Sequence, residues 1–446
     1  MEYKRQKPAS PIQPRIIIHG GAGNITPTSI TPALYEQYRT TLLTIISKIH
    51  VYMTSSSSSS GTRPSALDTA TYAVTLLEDN PLFNSAHGAV FTRDGINELE
   101  ASVMVSRGFA KRAVGVMGLR RVRNPILLAK RMLEHGDEDL RPRSVDVPSA
   151  QGHTLLHGET AEALAEQYGL ELVDPSYFFT QRRWDEHIRG LEREKAGKGV
   201  GTWSAEEYLP QGTCGAVALD EDGVVCCATS TGGLTNKLTG RIGDTPMVGA
   251  GFWAEEWTES SASEAVRRPG PALSLSDTLT ALMADCLPNP RLYTPVHQSC
   301  RLVTTRSMAV SGTGNGDSFL RTAAARTVGS IAKLARLSSA AAVAKVAGQD
   351  GELQRSAGNR WGRTGEGEGG FIGLECLVVR DSRGSVVETR SEILQDYNCG
   401  GMFRAWVDEN GAACARIWRG DHDVPREVVD IRSEAREREP KGTLLD

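Results

Sequence analysis

No stretch of this 446-residue chain is long and apolar enough to span a membrane. The sequence holds no CxxC pair with metal spacing, no Walker A motif and no GxSxG elbow, so the standard zinc, nucleotide and serine-esterase signatures are missing. Charge of one sign is also scarce. Lys and Arg number 50 against 54 Asp and Glu, a net charge of -4, which disfavours nucleic acid and anionic membrane as partners. The first residues, MEYKRQKPASPIQPR, are basic and proline-rich without an apolar core, so no secretory signal is expected and the expected location is the cytoplasm. The Asn24-Ile25-Thr26 sequon then carries no weight. The 8 cysteines are scattered, and Cys226-Cys227 adjoin inside an apolar run, which fits buried free thiols better than a disulfide framework.

What is present suits a globular enzyme: 39% hydrophobic and 23% charged residues. Residues 1–14 read as a disordered arm. Arg15–His19 (RIIIH) reads as a strand ending in a glycine turn. Helical spacing runs over 31–49, 65–78, 124–135 and 158–168, with a serine run, Ser55 to Ser60, between the first two. Phe83 to Met104 looks extended, and Lys195 to Gly212 reads as a mobile connector. Hairpins are signalled at Asp222-Gly223, around Asp381–Gly384 and at Asn410-Gly411, and 320–346 is alanine-rich and helical. Helices layered on antiparallel sheets are the expected class, α/β of the α+β type.

The sharpest chemical segment is Gly212-Thr213-Cys214-Gly215, a threonine between glycines at the head of a strand. A plain strand entry explains most such tetrapeptides. The chemical alternative is specific. If the Gly212–Thr213 bond breaks, Thr213 gains an α-amine with an ordinary pKa of about 7.7–8.0. A base then sits one residue from the hydroxyl, and no histidine is needed. Hydroxyls cluster again in Thr229-Ser230-Thr231, where they either cap a turn or hold the nucleophile. Arg241 and Asp244 could be a surface pair, or could take the carboxylate and ammonium of an amino-acid-like substrate. Ser311-Gly312-Thr313-Gly314-Asn315-Gly316-Asp317 is not a dinucleotide loop; its N–H groups and Thr313 suit either a tight turn or an oxyanion site. His19-Gly20-Gly21-Ala22-Gly23 has the form of an esterase oxyanion loop, but the elbow that must accompany it is missing.

Taken in order, HGGAGNI, LEDNPLFN, GTCGAVALDEDG, ATSTGGLTNKLTGRIGDTPMVGAG, SGTGNGD and YNCGGMFRAW resemble the plant-type isoaspartyl peptidase/L-asparaginase family of N-terminal-nucleophile hydrolases. The resemblance implies a four-layer αββα sandwich, made as a precursor and split into residues 15–212 and 213–446, the two halves forming one folded domain. It implies Thr213 as nucleophile, with its own amine as base, and Thr231 as the residue that hydrogen-bonds and tunes it. Arg241 would hold the substrate α-carboxylate and Asp244 its α-ammonium. Thr313 and Gly314 would form the oxyanion hole, and Asn84 would support cleavage between Gly212 and Thr213. No cofactor is required. A structural sodium ion is implied on the backbone carbonyls of Leu77, Glu78, Asn80, Phe83, Ser85 and His87. The expected partners are a small amide or dipeptide substrate and a second cleaved protomer in a homodimer.

The chain departs from that pattern in places. Relatives read FNAG where Phe83-Asn84-Ser85-Ala86 stands, and MDG where Met104-Val105-Ser106 stands. An insertion is read over about 254–304, beginning near Arg241–Asp244, where it would gate access or bind a partner. Rival readings are an uncleaved, silent relative that acts as an interaction protein, and a glycosylasparaginase or threonine aspartase-like enzyme. The latter groups carry Asp where this chain has Gly212.

Overall fold

The computed structural model describes residues 12–55, 62–109, 112–138, 149–260 and 302–421, and a short strand at 426–427. The arm expected over 1–14 lies outside the described residues up to residue 11, as does most of the serine run.

Nine strands form one sheet. In chain order they are β1 (Arg15–Gly23), β2 (Leu99–Val105), β3 (Ala113–Leu119), β4 (Leu155–His157), β5 (Cys214–Leu219), β6 (Val225–Thr231), and, after the second sheet, β11 (Gly401–Val407), β12 (Ala412–Arg416) and β13 (Arg426–Glu427). Their order is β13-β12-β11-β1-β5-β6-β2-β3-β4, antiparallel except for the β3–β4 pair. The second sheet, β10-β9-β8-β7, is a meander of β7 (Phe252–Ser260), β8 (Val303–Gly314), β9 (Gly369–Arg380) and β10 (Val386–Tyr397). Strands from before and after residue 212 alternate within the first sheet, β1 against β5 and β6 against β2. A cut at that point would therefore leave both pieces hydrogen-bonded along most of their length.

Alternation of side chains explains the apolar runs. Ile16 and Ile18 of β1 enter a core against α1 (Pro32–Thr54), α2 (Ala66–Glu78) and α3 (Pro125–Glu138), whereas Ile17 enters a second core between the sheets. Ala216 and Ala218 likewise face the helices while Val217 and Leu219 face the other sheet. A third core lies on the outer side of the second sheet. There Met308, Val310 and Phe371 meet α7 (Ala324–Leu334) and α8 (Ser339–Ala347). Cys214, Cys226, Cys227 and Cys376 are buried free thiols in these interiors. α1 opens on a Thr31 cap that accepts from Leu34 N–H, with Pro32 in its first turn.

Several local expectations change. The alanine-rich stretch is not one helix: α6 (Gly316–Thr322), α7 and α8 are separated because Ala323 adopts φ +45° and Arg336 φ +53°. The amphipathic helix α5 (Gln181–Lys195) was not legible as such, and α4 is Gly158–Gln167. Between Phe83 and Met104 only Leu99 onward is strand; the earlier part is a folded loop with a turn at Ala86–Gly88. The connector before Gly212 is tied down rather than free. Trp203 Nε1 and Gln211 Nε2 donate to Glu368 at 3.2 and 2.9 Å, and Tyr208 and Leu209 are buried.

The stretch read as an insertion is strand at both ends. Residues up to Ser260 and from Val303 belong to a continuous β-hairpin, Ser260 pairing with Val303, so only 261–301 falls outside the described residues. The end of that hairpin lies eight residues from Phe252, roughly 26 Å along the strand at 3.3 Å per residue. The described ends of the hairpin thus stand at the far end of β7 from the Arg241–Asp244 loop, and the gate and partner readings fall on 261–301, outside the described residues.

Candidate active site

The site forms where β1, β5 and β6 end against β8. A register shift in β1 between His19 and Ala22 bulges Gly20-Gly21 towards Gly212, two residues before β5. A Cβ there would lie 2.5 Å from Ala22 N, 2.6 Å from Thr313 Oγ1 and 2.8 Å from Gly21 Cα, so only glycine fits. The HGGAG turn is therefore a wall pressed against the Gly212–Thr213 peptide. His19 serves the same joint. Its Nε2 meets Ser311 Oγ at 2.7 Å, linking the two sheets, and burial pushes its pKa down to about 3, so it is neutral.

Thr213 is 3% exposed. Its N–H donates to Thr313 Oγ1 at 2.8 Å, and that hydroxyl donates to Thr213 O at 3.0 Å, a two-point clamp from β8. Thr213 Oγ1 lies 2.9 Å from Thr245 Oγ1. The residue expected to make that contact, Thr231, instead accepts from Gly233 N–H at 2.9 Å and so shapes the turn after β6. The hydroxyl beside Thr213 here is that of Thr245, next to Asp244. Both threonines lie in the same motif, and only geometry separates them.

Asn84 reaches the same peptide from the folded loop after α2. Its Nδ2 donates to Gly212 O at 3.1 Å and Gly233 O at 2.7 Å, while Oδ1 accepts from Val90 N–H at 3.0 Å. The loop is held from behind by Arg183 of α5. This fully buried guanidinium donates to Leu82 O and Gly88 O at 2.7 and 2.8 Å and pairs with Glu186 at 2.8 Å. Losing one partner of such a buried pair costs about 3–5 kcal/mol. Ala86, in the same loop, is buried at φ +40°. Gly314 has φ +142°, and a Cβ there would strike Glu368 O at 2.3 Å.

Arg241 and Asp244 come together at Gly316. A Cβ at 316 would sit 2.4 Å from Asp244 Oδ1 and 3.0 Å from the Arg241 guanidinium. Asp244 is 5% exposed and its Oδ2 has no hydrogen-bond partner. Burial raises its pKa to about 7, against the opposing pull of Arg241. Arg241 donates to Asp317 Oδ2 at 2.9 Å. Two carboxylates that the sequence reading passed over fix the loop backbone: Glu98 accepts from Gly240 N–H at 2.7 Å and Glu100 from Gly243 N–H at 3.0 Å. Lys237, its pKa lowered by burial, donates to Glu98 O at 3.1 Å. Their signal was present in the NELEA and TNKLTG segments, but these lie far apart in the chain and nothing in the sequence joined them.

The carbonyls implied for sodium line the loop that follows α2. Those of Leu77, Asn80 and Ser85 already accept backbone N–H groups from Asn80, Phe83 and Gly88. Leu77 O also accepts from Asp79 N–H, so of these three only the Asn80 and Ser85 carbonyls keep a second lone pair for a hard cation. The Glu78 side chain lies fully buried beside it, with Oε2 unpartnered and its pKa raised to about 8 by burial. Among the described residues, no cluster of three His, Cys, Asp or Glu side chains is placed to hold a metal. No helix among them is long and apolar enough to cross a membrane.

A clamped threonine at a glycine junction, near Arg241 and the buried Asp244, is the equipment of a hydrolase that acts on amides. Comparison with known proteins gives that class a family. A family model described as Asparaginase matches residues 12–263. The chain is 31% identical to an isoaspartyl peptidase of Salmonella typhimurium over 91% of its own length and 98% of the relative's. It is 40% identical to an isoaspartyl peptidase of Escherichia coli over 54% of this chain and 67% of that protein. It is 34% identical to a plant-type L-asparaginase of Pyrococcus furiosus over 59% and 78%. The chain belongs to the asparaginase family.

Proposed function

We propose that the chain is a precursor that cuts itself between Gly212 and Thr213 and then uses Thr213 to hydrolyse L-asparagine, β-aspartyl peptides or both. The observation that carries this reading is the surrounding of one peptide bond: Asn84 donates to its carbonyl, Thr313 binds its nitrogen, and the Thr213 hydroxyl lies one residue away. In self-cleavage, Thr213 Oγ attacks the Gly212 carbonyl carbon. Asn84 steadies the developing oxyanion, and the acyl group passes from nitrogen to oxygen. Water then hydrolyses the ester, leaving a Gly212 carboxylate and a free Thr213 amine.

In turnover the amine takes the proton of Thr213 Oγ as that oxygen attacks the side-chain amide carbon. The proton passes to the departing ammonia or amine. Water, deprotonated by the same amine, resolves the aspartyl ester and frees the enzyme. Arg241 takes the substrate α-carboxylate and Asp244 its ammonium; Thr313 and Gly314 face the oxyanion; Thr245 holds the nucleophile, with Thr231 shaping the turn behind it. The helix–sheet, sheet–sheet and sheet–helix cores support an αββα sandwich. Free buried thiols support a reducing compartment such as the cytoplasm. Sodium on the loop carbonyls and a dimer of cleaved protomers complete the proposal.

The test is ammonia release from L-asparagine and amine release from a β-aspartyl dipeptide, by wild type and by Thr213→Ala. Release by wild type alone is expected. Release that survives Thr213→Ala, or none from a split wild-type sample, overturns the reading; the latter favours a silent interaction protein.

A further inference from the structure

Arg241 is already partnered, by a group that neither the proposed mechanism nor the family resemblance uses. Its guanidinium donates to Asp317 Oδ2 at 2.9 Å, while its buried Nε has no hydrogen-bond partner. Asp317 is the second residue of α6, directly after Gly316, the residue whose missing side chain lets Arg241 and Asp244 approach. The two side chains differ in freedom: Arg241 is 17% exposed and Asp317 49%. The guanidinium is thus fixed in the site, and the carboxylate is the member able to turn away into solvent.

We propose that Asp317 is a specificity-determining residue, an internal carboxylate that holds Arg241 in the empty site and is displaced by the α-carboxylate of the substrate. The inference rests on the proposed role of Arg241 and deepens it. The chemistry is an exchange of one Arg–carboxylate pair for another at the same fork. A ligand with an α-carboxylate must break the internal pair before it gains its own, so its apparent affinity is reduced by the strength of that pair. A ligand without the carboxylate leaves Asp317 in place and is indifferent to it. A half-exposed pair of this kind corresponds to roughly a two- to fivefold change in affinity.

The experiment compares wild type with Asp317→Asn, both confirmed as folded by thermal melting. L-asparagine is set against β-alaninamide, the same amide and amine without the α-carboxylate, and L-aspartate binding is read by calorimetry. Asp317→Asn is expected to lower KM for L-asparagine and Kd for L-aspartate by roughly two- to fivefold, with the effect on KM rather than kcat and no fall in KM for β-alaninamide. A KM for asparagine that is unchanged or raised while wild type hydrolyses it overturns this inference alone. So does an equal fall for both amides. If neither protein hydrolyses asparagine, the reading of the enzyme fails, and unchanged or absent aspartate binding overturns the inference separately.

Discussion

Replacing Gly212 with alanine isolates the geometry of the cleavage site without touching any reacting atom. The new methyl would sit 2.5 Å from Ala22 N, 2.6 Å from Thr313 Oγ1 and 2.8 Å from Gly21 Cα, where ordinary contact begins near 3.4 Å. Two of the three obstacles are backbone, in a bulge anchored by β5 on one side and β11 on the other. The strand cannot yield cheaply, so residue 212 itself must move by nearly an ångström. Overpacking of this kind costs about 1–3 kcal/mol of stability. A misplacement of about 1 Å at reacting atoms costs on the order of a hundredfold in rate. The Asn84–Gly212 O and Thr213 N–Thr313 bonds are both on the displaced peptide, so both loosen. Freshly purified Gly212→Ala followed on denaturing gels should split at least about a hundredfold more slowly than wild type. Its thermal melt, beside that of uncut Thr213→Ala, shows whether it is folded. Folded Gly212→Ala that splits at the wild-type rate would refute the argument that close approach to the HGGAG wall sets up the scissile bond.

Two further outcomes are expected. Ala86 is buried at φ +40°, so Ala86→Gly relieves a left-handed strain of about 1–2 kcal/mol while losing one buried methyl and adding chain entropy, for a net change within about 0.5 kcal/mol. Ala89→Gly, buried at φ -64°, has no strain to relieve and should lose about 1.5 kcal/mol in denaturant titrations; equal losses would contradict the strain. For the carboxyl of Asp244, burial raises the pKa to about 7, so it gains a proton, and loses its charge, as pH falls through that value. KM for L-asparagine should therefore climb about tenfold per unit below pH 7 and level off above it, and a flat KM between pH 5 and 8 would contradict the assignment.

Much of the site was legible because its residues are consecutive. Gly212-Thr213, Arg241 through Asp244 and Ser311 through Gly316 each form one short run, and the hairpins announced themselves at Asp222-Gly223 and Asn410-Gly411. What stayed hidden depends on contacts between runs. Choosing Thr245 over Thr231 requires knowing which hydroxyl turns towards Thr213, and the Glu98, Glu100 and Asp317 contacts join segments far apart in sequence. The strands at the two ends of the stretch read as an insertion were not legible because β7 and β8 carry Trp, Glu, Thr and Arg on one face, which reads as polar loop until the partner strand is seen. α5 was missed because its buried stripe is built from Arg183, Glu186, His187 and Gly190, polar residues satisfied by one another and by loop carbonyls rather than by an apolar core.

Intact-mass measurement on purified, active protein tests the central claim most directly. The account predicts two polypeptides from wild type, one ending at Gly212 and one beginning at Thr213, and a single 446-residue mass from Thr213→Ala. One unbroken chain in a preparation that releases ammonia from asparagine would contradict it.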